Sequence, residues 1–130
     1  MAYNILIVDD SSIIRAVVIK TLELTGVPVN KIFQAENGKV GLEVLHNNWI
    51  DLAFVDINMP VMGGVAMIEE MFKDDLLHTV PVVVVSTEGS KTRINELIEK
   101  GIKGYLRKPF QPEALRDIID QSLGVQKDEE

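Results

Sequence analysis

Asp9 and Asp10 follow the apolar run Ile5-Leu6-Ile7-Val8, and Asp56 ends a second run, Leu52-Ala53-Phe54-Val55. Ser86 ends Val82-Val83-Val84-Val85, and Lys108, followed by Pro109, ends Tyr105-Leu106-Arg107. If these runs are parallel strands of one sheet, three carboxylates, a hydroxyl and an ammonium gather at one edge, and phosphoryl chemistry needs those groups. Carboxylates brought so close repel: at about 4 Å and an effective dielectric near 20, a pair costs on the order of 4 kcal/mol. A cation has to offset that. An all-oxygen donor set with room left for water and phosphate oxygens suits a hard ion, Mg²⁺ in particular. A carboxylate can attack phosphorus to give an aspartyl phosphate. Asp56, Ser86 and Lys108 then supply a nucleophile, a hydroxyl and a compact point charge for phosphate.

Taken singly, each residue has a plainer reading. Asp9-Asp10 fits a helix N-cap. Ser86 fits a turn, Lys108 a solvated surface lysine, and Tyr105 a half-buried sheet residue. The four methionines Met59, Met62, Met67 and Met71 read as packing, His46 and His78 as isolated surface residues, and Trp49 as peripheral packing. The site reading rests on the groups arriving together.

The elements that would bring them together alternate along the whole chain. Strands are expected near 4–8, 31–35, 51–55, 81–85 and 104–107. The first helix has Ile13, Ile14, Val17, Val18 and Leu22 as its apolar face, Ser11 or Ser12 as its cap and Gly26 with Pro28 as its stop. Helices near 38–47 (Val40, Val44, Leu45), 64–73 (Val65, Ile68, Phe72) and 90–100 (Ile94, Leu97, Ile98) follow the next three strands. Pro112 opens the last helix, with Leu115, Ile118, Ile119 and Leu123 inward. The continuous apolar runs of strands one, three and four predict burial on both faces. The fold class is therefore α/β: a doubly wound, five-stranded parallel sheet with helices on both faces. Ligands of such sheets bind beyond the carboxyl ends of the strands, where the strand order reverses.

The 130 residues suit one domain, read as residues 1–124 with an acidic tail over 125–130, and 46% are hydrophobic, enough for a core. A net charge of −7 and few aromatics argue against nucleic acid as a partner. No apolar run reaches the roughly 18 residues of a membrane span, and no signal peptide is read, so no membrane partner is expected. With zero cysteines the chain has no disulfide or thiolate site, which is compatible with the cytoplasm.

Four motifs in order, Ile-Val-Asp-Asp at 7–10, Asp-Ile-Asn-Met-Pro at 56–60, Val-Ser-Thr-Glu at 85–88 and Lys-Pro-Phe at 108–110, resemble those of the response-regulator receiver domains. Within that family the chain is most similar to the stand-alone chemotaxis regulators. The resemblance covers about residues 4–123 and implies the flavodoxin-like strand order 2-1-3-4-5. It implies that Asp56 takes a phosphoryl group from a histidine kinase or a histidine phosphotransfer protein. Mg²⁺ would be held by Asp10 directly, by Asp9 through water, by Asp56 and by the Asn58 carbonyl. Ser86 and Lys108 would bind the phosphoryl group, the latter ahead of a cis proline peptide. Tyr105 would be the aromatic that turns when Ser86 moves, passing the signal to a protein target at the face made by the fourth helix, fifth strand and fifth helix. Asn58 and Glu88 would tune dephosphorylation. In this reading the chain is not an enzyme beyond its own phosphoryl transfer and autodephosphorylation.

Three positions depart from the family's usual pattern. Ser86 replaces a threonine but keeps the hydroxyl. Thr87 is larger than the usual small residue and bears on phosphodonor access. Gly63-Gly64 is expected to make its loop flexible. Among other functions, a phosphorelay intermediate or phosphate sink stays within the same family. A flavin carrier on this fold conflicts with the phosphate-repelling Asp9-Asp10 pair. A phosphate-ester hydrolase wants an acid where Asn58 stands, and a nucleotide switch wants a Gly-x-x-x-x-Gly-Lys loop that the sequence lacks.

Overall fold

Because a β-strand turns alternate side chains to opposite faces, a strand buried on both sides must be apolar throughout. β3 (Leu52–Val55) meets that requirement over its whole length, β1 (Tyr3–Val8) from Ile5 onward and β4 (Val82–Ser86) up to its terminal serine. With β2 (Val29–Ala35) and β5 (Gly104–Arg107) they form one parallel sheet in the order β2-β1-β3-β4-β5. This computed structural model describes residues 2–87 and 91–124. Glu88 and the tail over 125–130 lie outside the described residues.

The helices α1 (Ser12–Thr25), α2 (Gly38–Asn47), α3 (Gly64–Lys73), α4 (Lys91–Lys100) and α5 (Pro112–Leu123) follow the strands in turn. They divide the core in two. On one face Leu6, Val8, Ala53, Val55 and Val84 pack with Met67, Ile68 and Met71 of α3 and Leu97 of α4. On the other, Ile5, Ile7, Phe54, Val83 and Val85 pack with Val18 and Leu22 of α1 and Leu115 and Ile119 of α5. Fully burying side chains of this size is worth about 1.5–3 kcal/mol each. Local signals set the helix ends. The Ser11 hydroxyl accepts from the Ile14 amide, the Asn37 side chain accepts from the Val40 amide, and Gly26 leaves α1 at φ 77°.

Several expectations change. The inward face of α1 is Val18, Leu22 and Thr25, whereas Ile13 and Val17 are exposed. The helix meets the sheet along the 14-18-22-25 stripe, and a step of one residue turns a side chain about 100° away from it. Ile98 of α4 is likewise half out in solvent while Leu97 is buried. β2 begins at Val29, because Pro28 accepts a hydrogen bond from Tyr3 and starts the pairing early. Ser86 is the last residue of β4 itself, paired with Arg107. His46 is exposed but not isolated, since its Nε2 lies 3.3 Å from Asp74 Oδ2. The indole of Trp49 stands out in solvent instead of packing at the periphery.

Candidate phosphoacceptor and metal site

Strand order reverses between β1 and β3, which opens a crevice at their carboxyl ends. The site residues are held there by the sheet itself. The Asp9 amide donates to Ala35 of β2 at 3.0 Å, the Asp56 amide to Val8 of β1 at 2.9 Å, and the Lys108 amide to Ser86 of β4 at 2.9 Å. Asp9, Asp56 and Lys108 thus leave the chain at the first position past a paired strand, Asp10 at the second, and Ser86 at the last position of one.

Asp9, Asp10 and Asp56 each place a carboxylate oxygen within 4.8 Å of the others. Asp9 and Asp56 are buried and Asp10 is exposed. The Asp9 carboxylate accepts from the Ser11 amide at 2.9 Å, and the Asp56 carboxylate from the Ile57 amide at 2.9 Å. Lys108 Nζ donates to Asp9 Oδ2 at 3.0 Å and lies 3.8 Å from Asp56 Oδ1. Loss of water around Asp56 pushes its carboxyl above the usual aspartate range. The Lys108 ammonium pulls the other way, the neighbouring Asp9 and Asp10 push further up, and the Ile57 amide pulls down. Such a donor set fits a hard divalent ion. It is all oxygen, carries more negative charge than Lys108 neutralises, and opens to water on the Asp10 side.

Ser86 is buried at the end of β4. Its backbone carbonyl takes two hydrogen bonds, from the Lys108 amide and, at 3.2 Å, from the hydroxyl of half-buried Tyr105. The Lys108–Pro109 peptide is cis. Asn58 and Thr87 are both exposed. The structure therefore brings Asp9, Asp10, Asp56 and Lys108 together, with Ser86 at the adjoining end of β4 and Tyr105 within β5 reaching the Ser86 carbonyl.

Two features were not anticipated. The loop after Asp56 contains a tight turn in which Met62 donates to the Pro60 carbonyl at 2.7 Å, with Val61 between them at φ 66°. A β-branched residue there is strained, and this turn class is rare. The adjacent Gly63 and Gly64 do not take the positive φ. Gly64 is needed for space, because a Cβ on it would lie 2.1 Å from the Asp56 carbonyl oxygen. The second feature is Arg15, whose guanidinium donates to the Asp9 carbonyl and to Gln34 Oε1. Its signal in the sequence was faint: a lone arginine one helical turn past the cap.

A family model described as "Response regulator receiver domain" matches residues 5–120. The chemotaxis protein CheY1 of Helicobacter pylori is 31% identical over 123 residues, which cover 94% of this chain and 98% of that protein. Among solved structures, the chemotaxis protein CheY4 of Vibrio cholerae, crystallised at low pH, gives a TM-score of 0.83 at 30% identity, covering 95% of this chain and all of that one. The receiver domain of a sensor histidine kinase from Pseudomonas aeruginosa, described with a magnesium ion in its active-site cleft, gives 0.82 at 20% identity over 95% of this chain and 99% of that one. This last likeness speaks for the fold.

Proposed function

We propose, from the premise that this chain belongs to the response regulator receiver domain family, that it is a two-component signalling protein of the chemotaxis type, phosphorylated on Asp56. The observation that carries the reading is the place of Asp56: a buried carboxylate at the end of the central strand, with an acid pair and an ammonium gathered beside it.

The donor would be a phosphohistidine on a histidine kinase or a histidine phosphotransfer protein. An Asp56 carboxylate oxygen attacks phosphorus, a P–O bond forms, the P–N bond breaks, and the imidazole leaves with its electron pair. Mg²⁺ bound at Asp9, Asp10, Asp56 and the Asn58 carbonyl would neutralise charge on the phosphoryl oxygens. Lys108 would hold one of those oxygens with its ammonium, and the Ser86 hydroxyl would donate to another. Asn58, Thr87 and Glu88 line up in sequence as the residues that would govern access of the donor and of hydrolytic water.

The signal would leave through Tyr105. Its hydroxyl and the Lys108 amide share the Ser86 carbonyl, so a shift of Ser86 toward the phosphoryl group loosens the ring's present anchor. The ring then repacks the α4–β5–α5 face, where a downstream protein binds, a two-state element biased by phosphorylation. No described helix is long and apolar enough to cross a membrane, and we assign the protein to the cytoplasm as part of this reading.

Incubation with Mg²⁺ and acetyl phosphate, followed by intact mass, tests the assignment. One phosphoryl group should be gained and should be lost in Asp56→Asn. No gain with acetyl phosphate or with a kinase would overturn it.

A further inference from the structure

The end of the sheet far from Asp56 carries a second concavity. Ile50 and Asp51 lead into β3, and Pro81 leads into β4. Four strand residues, about 13 Å at about 3.3 Å each, separate this end from the phosphoryl end. Between the last turn of α2 and the segment following α3 lies a cavity of about 520 Å³. Pockets for specific ligands run from about 300 to 1,000 Å³. Leu45, Ile50, Leu77 and Val80 supply apolar wall, while Trp49 and Leu76 stand at its rim, each 78% exposed.

The exposed indole is held in place. Trp49 Nε1 donates to Asp51 Oδ1 at 3.0 Å, and the Trp49 carbonyl accepts from Asn4 Nδ2 at 2.8 Å. Asp51 is fixed in turn by the Asn4 amide, which donates to Oδ2 at 2.8 Å. A large aromatic already fixed in the open loses little freedom when a partner covers it.

The charge at the rim has one sign. Among the described residues no lysine or arginine lines the cavity, and Asp51 sets a carboxylate beside the indole. His46, the other ionisable lining residue, lies against the Asp74 carboxylate. α2 ends here as well, so the negative end of its dipole adds to the field. An indole face next to a carboxylate favours a guanidinium or ammonium, and the apolar wall favours an aliphatic neighbour.

We propose that this cavity docks a peptide segment of a partner protein, placing an arginine or lysine on Trp49 beside Asp51 and an aliphatic side chain between Leu76 and Leu77. This surface is separate from both the phosphoryl site and the α4–β5–α5 face, and the proposal stands whether or not Asp56 is phosphorylated.

Trp49 is the chain's one tryptophan, so its emission reports on the cavity. The full chain is titrated with acetyl-Leu-Arg-Leu-amide, with its Leu-Glu-Leu counterpart and with arginine amide alone. A saturable change is expected with the arginine peptide, weakened by salt and absent with the glutamate peptide. Leu76→Glu and Asp51→Asn should each weaken it about tenfold or more. Leu76 is exposed, so its variant keeps the proposal testable if Asp51→Asn disturbs the fold. Mass gain with acetyl phosphate should be unchanged in both. The proposal is overturned by a flat titration, by equal binding of the glutamate peptide, or by no effect of Leu76→Glu. Equally tight binding of arginine amide alone, which marks a small-cation site, also overturns it. So does an emission change on raising the protein concentration without peptide, which marks a second copy.

Discussion

The ammonium of Lys108 stands closer to Asp9, at 3.0 Å, than to Asp56, at 3.8 Å. The lysine thus neutralises Asp9 more than Asp56. It therefore competes with any cation for the same carboxylates. A unit charge about 5 Å from a divalent ion repels it by on the order of 1.7 kcal/mol even in water-like surroundings, so Lys108→Ala should bind Mg²⁺ roughly fifteenfold more tightly. The same variant should accumulate less phosphoprotein, because the phosphoryl group loses its partner. Calorimetric Mg²⁺ titration beside intact mass measures both. Weaker metal binding in the variant would contradict the competition.

Burial raises the Asp56 carboxyl above its ordinary value of 3.8. The folded protein therefore binds a proton there more readily than the unfolded chain does. Stability contributed at this position is highest below 3.8 and falls as pH rises through the raised value. Asp56→Asn removes the fall. The variant should be more stable than the parent at pH 7, with the difference shrinking toward pH 4. Urea midpoints across that range check it, and equal midpoints at pH 7 would refute it.

Mg²⁺ should reverse the same penalty. A ligand at about a hundred times its dissociation constant stabilises the folded state by about 2.7 kcal/mol. The thermal midpoint should rise with MgCl₂ in the parent and rise much less in Asp10→Asn, whose exposed side chain tolerates the change.

Gly64→Ala should be the most damaging small substitution near the site. Its Cβ would lie 2.1 Å from the Asp56 carbonyl oxygen, and backbone on both sides has to move. A loss of about 3 kcal/mol is expected, at the upper end for overpacking. Slower phosphorylation should accompany it, since the strand end carrying Asp56 shifts. Urea denaturation and the rate of mass gain report the two effects.

Tyr105→Phe tests the shared acceptor. Ser86 keeps the Lys108 amide as a donor, so the stability cost should sit near the low end for one hydrogen bond, about 0.5 kcal/mol. Amide shifts at Ser86 and Lys108 should move all the same. Tyr105→Ala should still gain phosphate but show smaller phosphorylation-induced shifts across α4, β5 and α5.

The sheet was legible because Ile5–Val8 of β1, Leu52–Val55 of β3 and Val82–Val85 of β4 are apolar without interruption, a pattern few other environments require. The acids and Ser86 were legible because they follow such runs, and Lys108 because it follows the short strand ending Tyr105-Leu106-Arg107. The faces of α1 were not: Ile13 and Val17 match the helical period as well as Val18 and Leu22 do, and only contact with the sheet separates them. Val61 was hidden for a different reason. Local preference would give positive φ to Gly63 or Gly64, but crowding against Ile57 and Asp56 claims both glycines for close approach. Arg15 carries no motif of its own and gains meaning from the Asp9 carbonyl it reaches.

β5 has a neighbour on one side only, whereas β3 is paired on both. Amide hydrogen exchange should rank them accordingly, with Phe54 and Val55 opening only when the whole domain opens and the amides of β5 exchanging sooner. Asp56, the proposed nucleophile, is thus mounted on the layer that yields last, and Tyr105 and Lys108 on the border that yields first. A covalent change at the rigid centre can then be read out by the segment with the lowest opening energy, while the ladder that holds Asp56 stays closed.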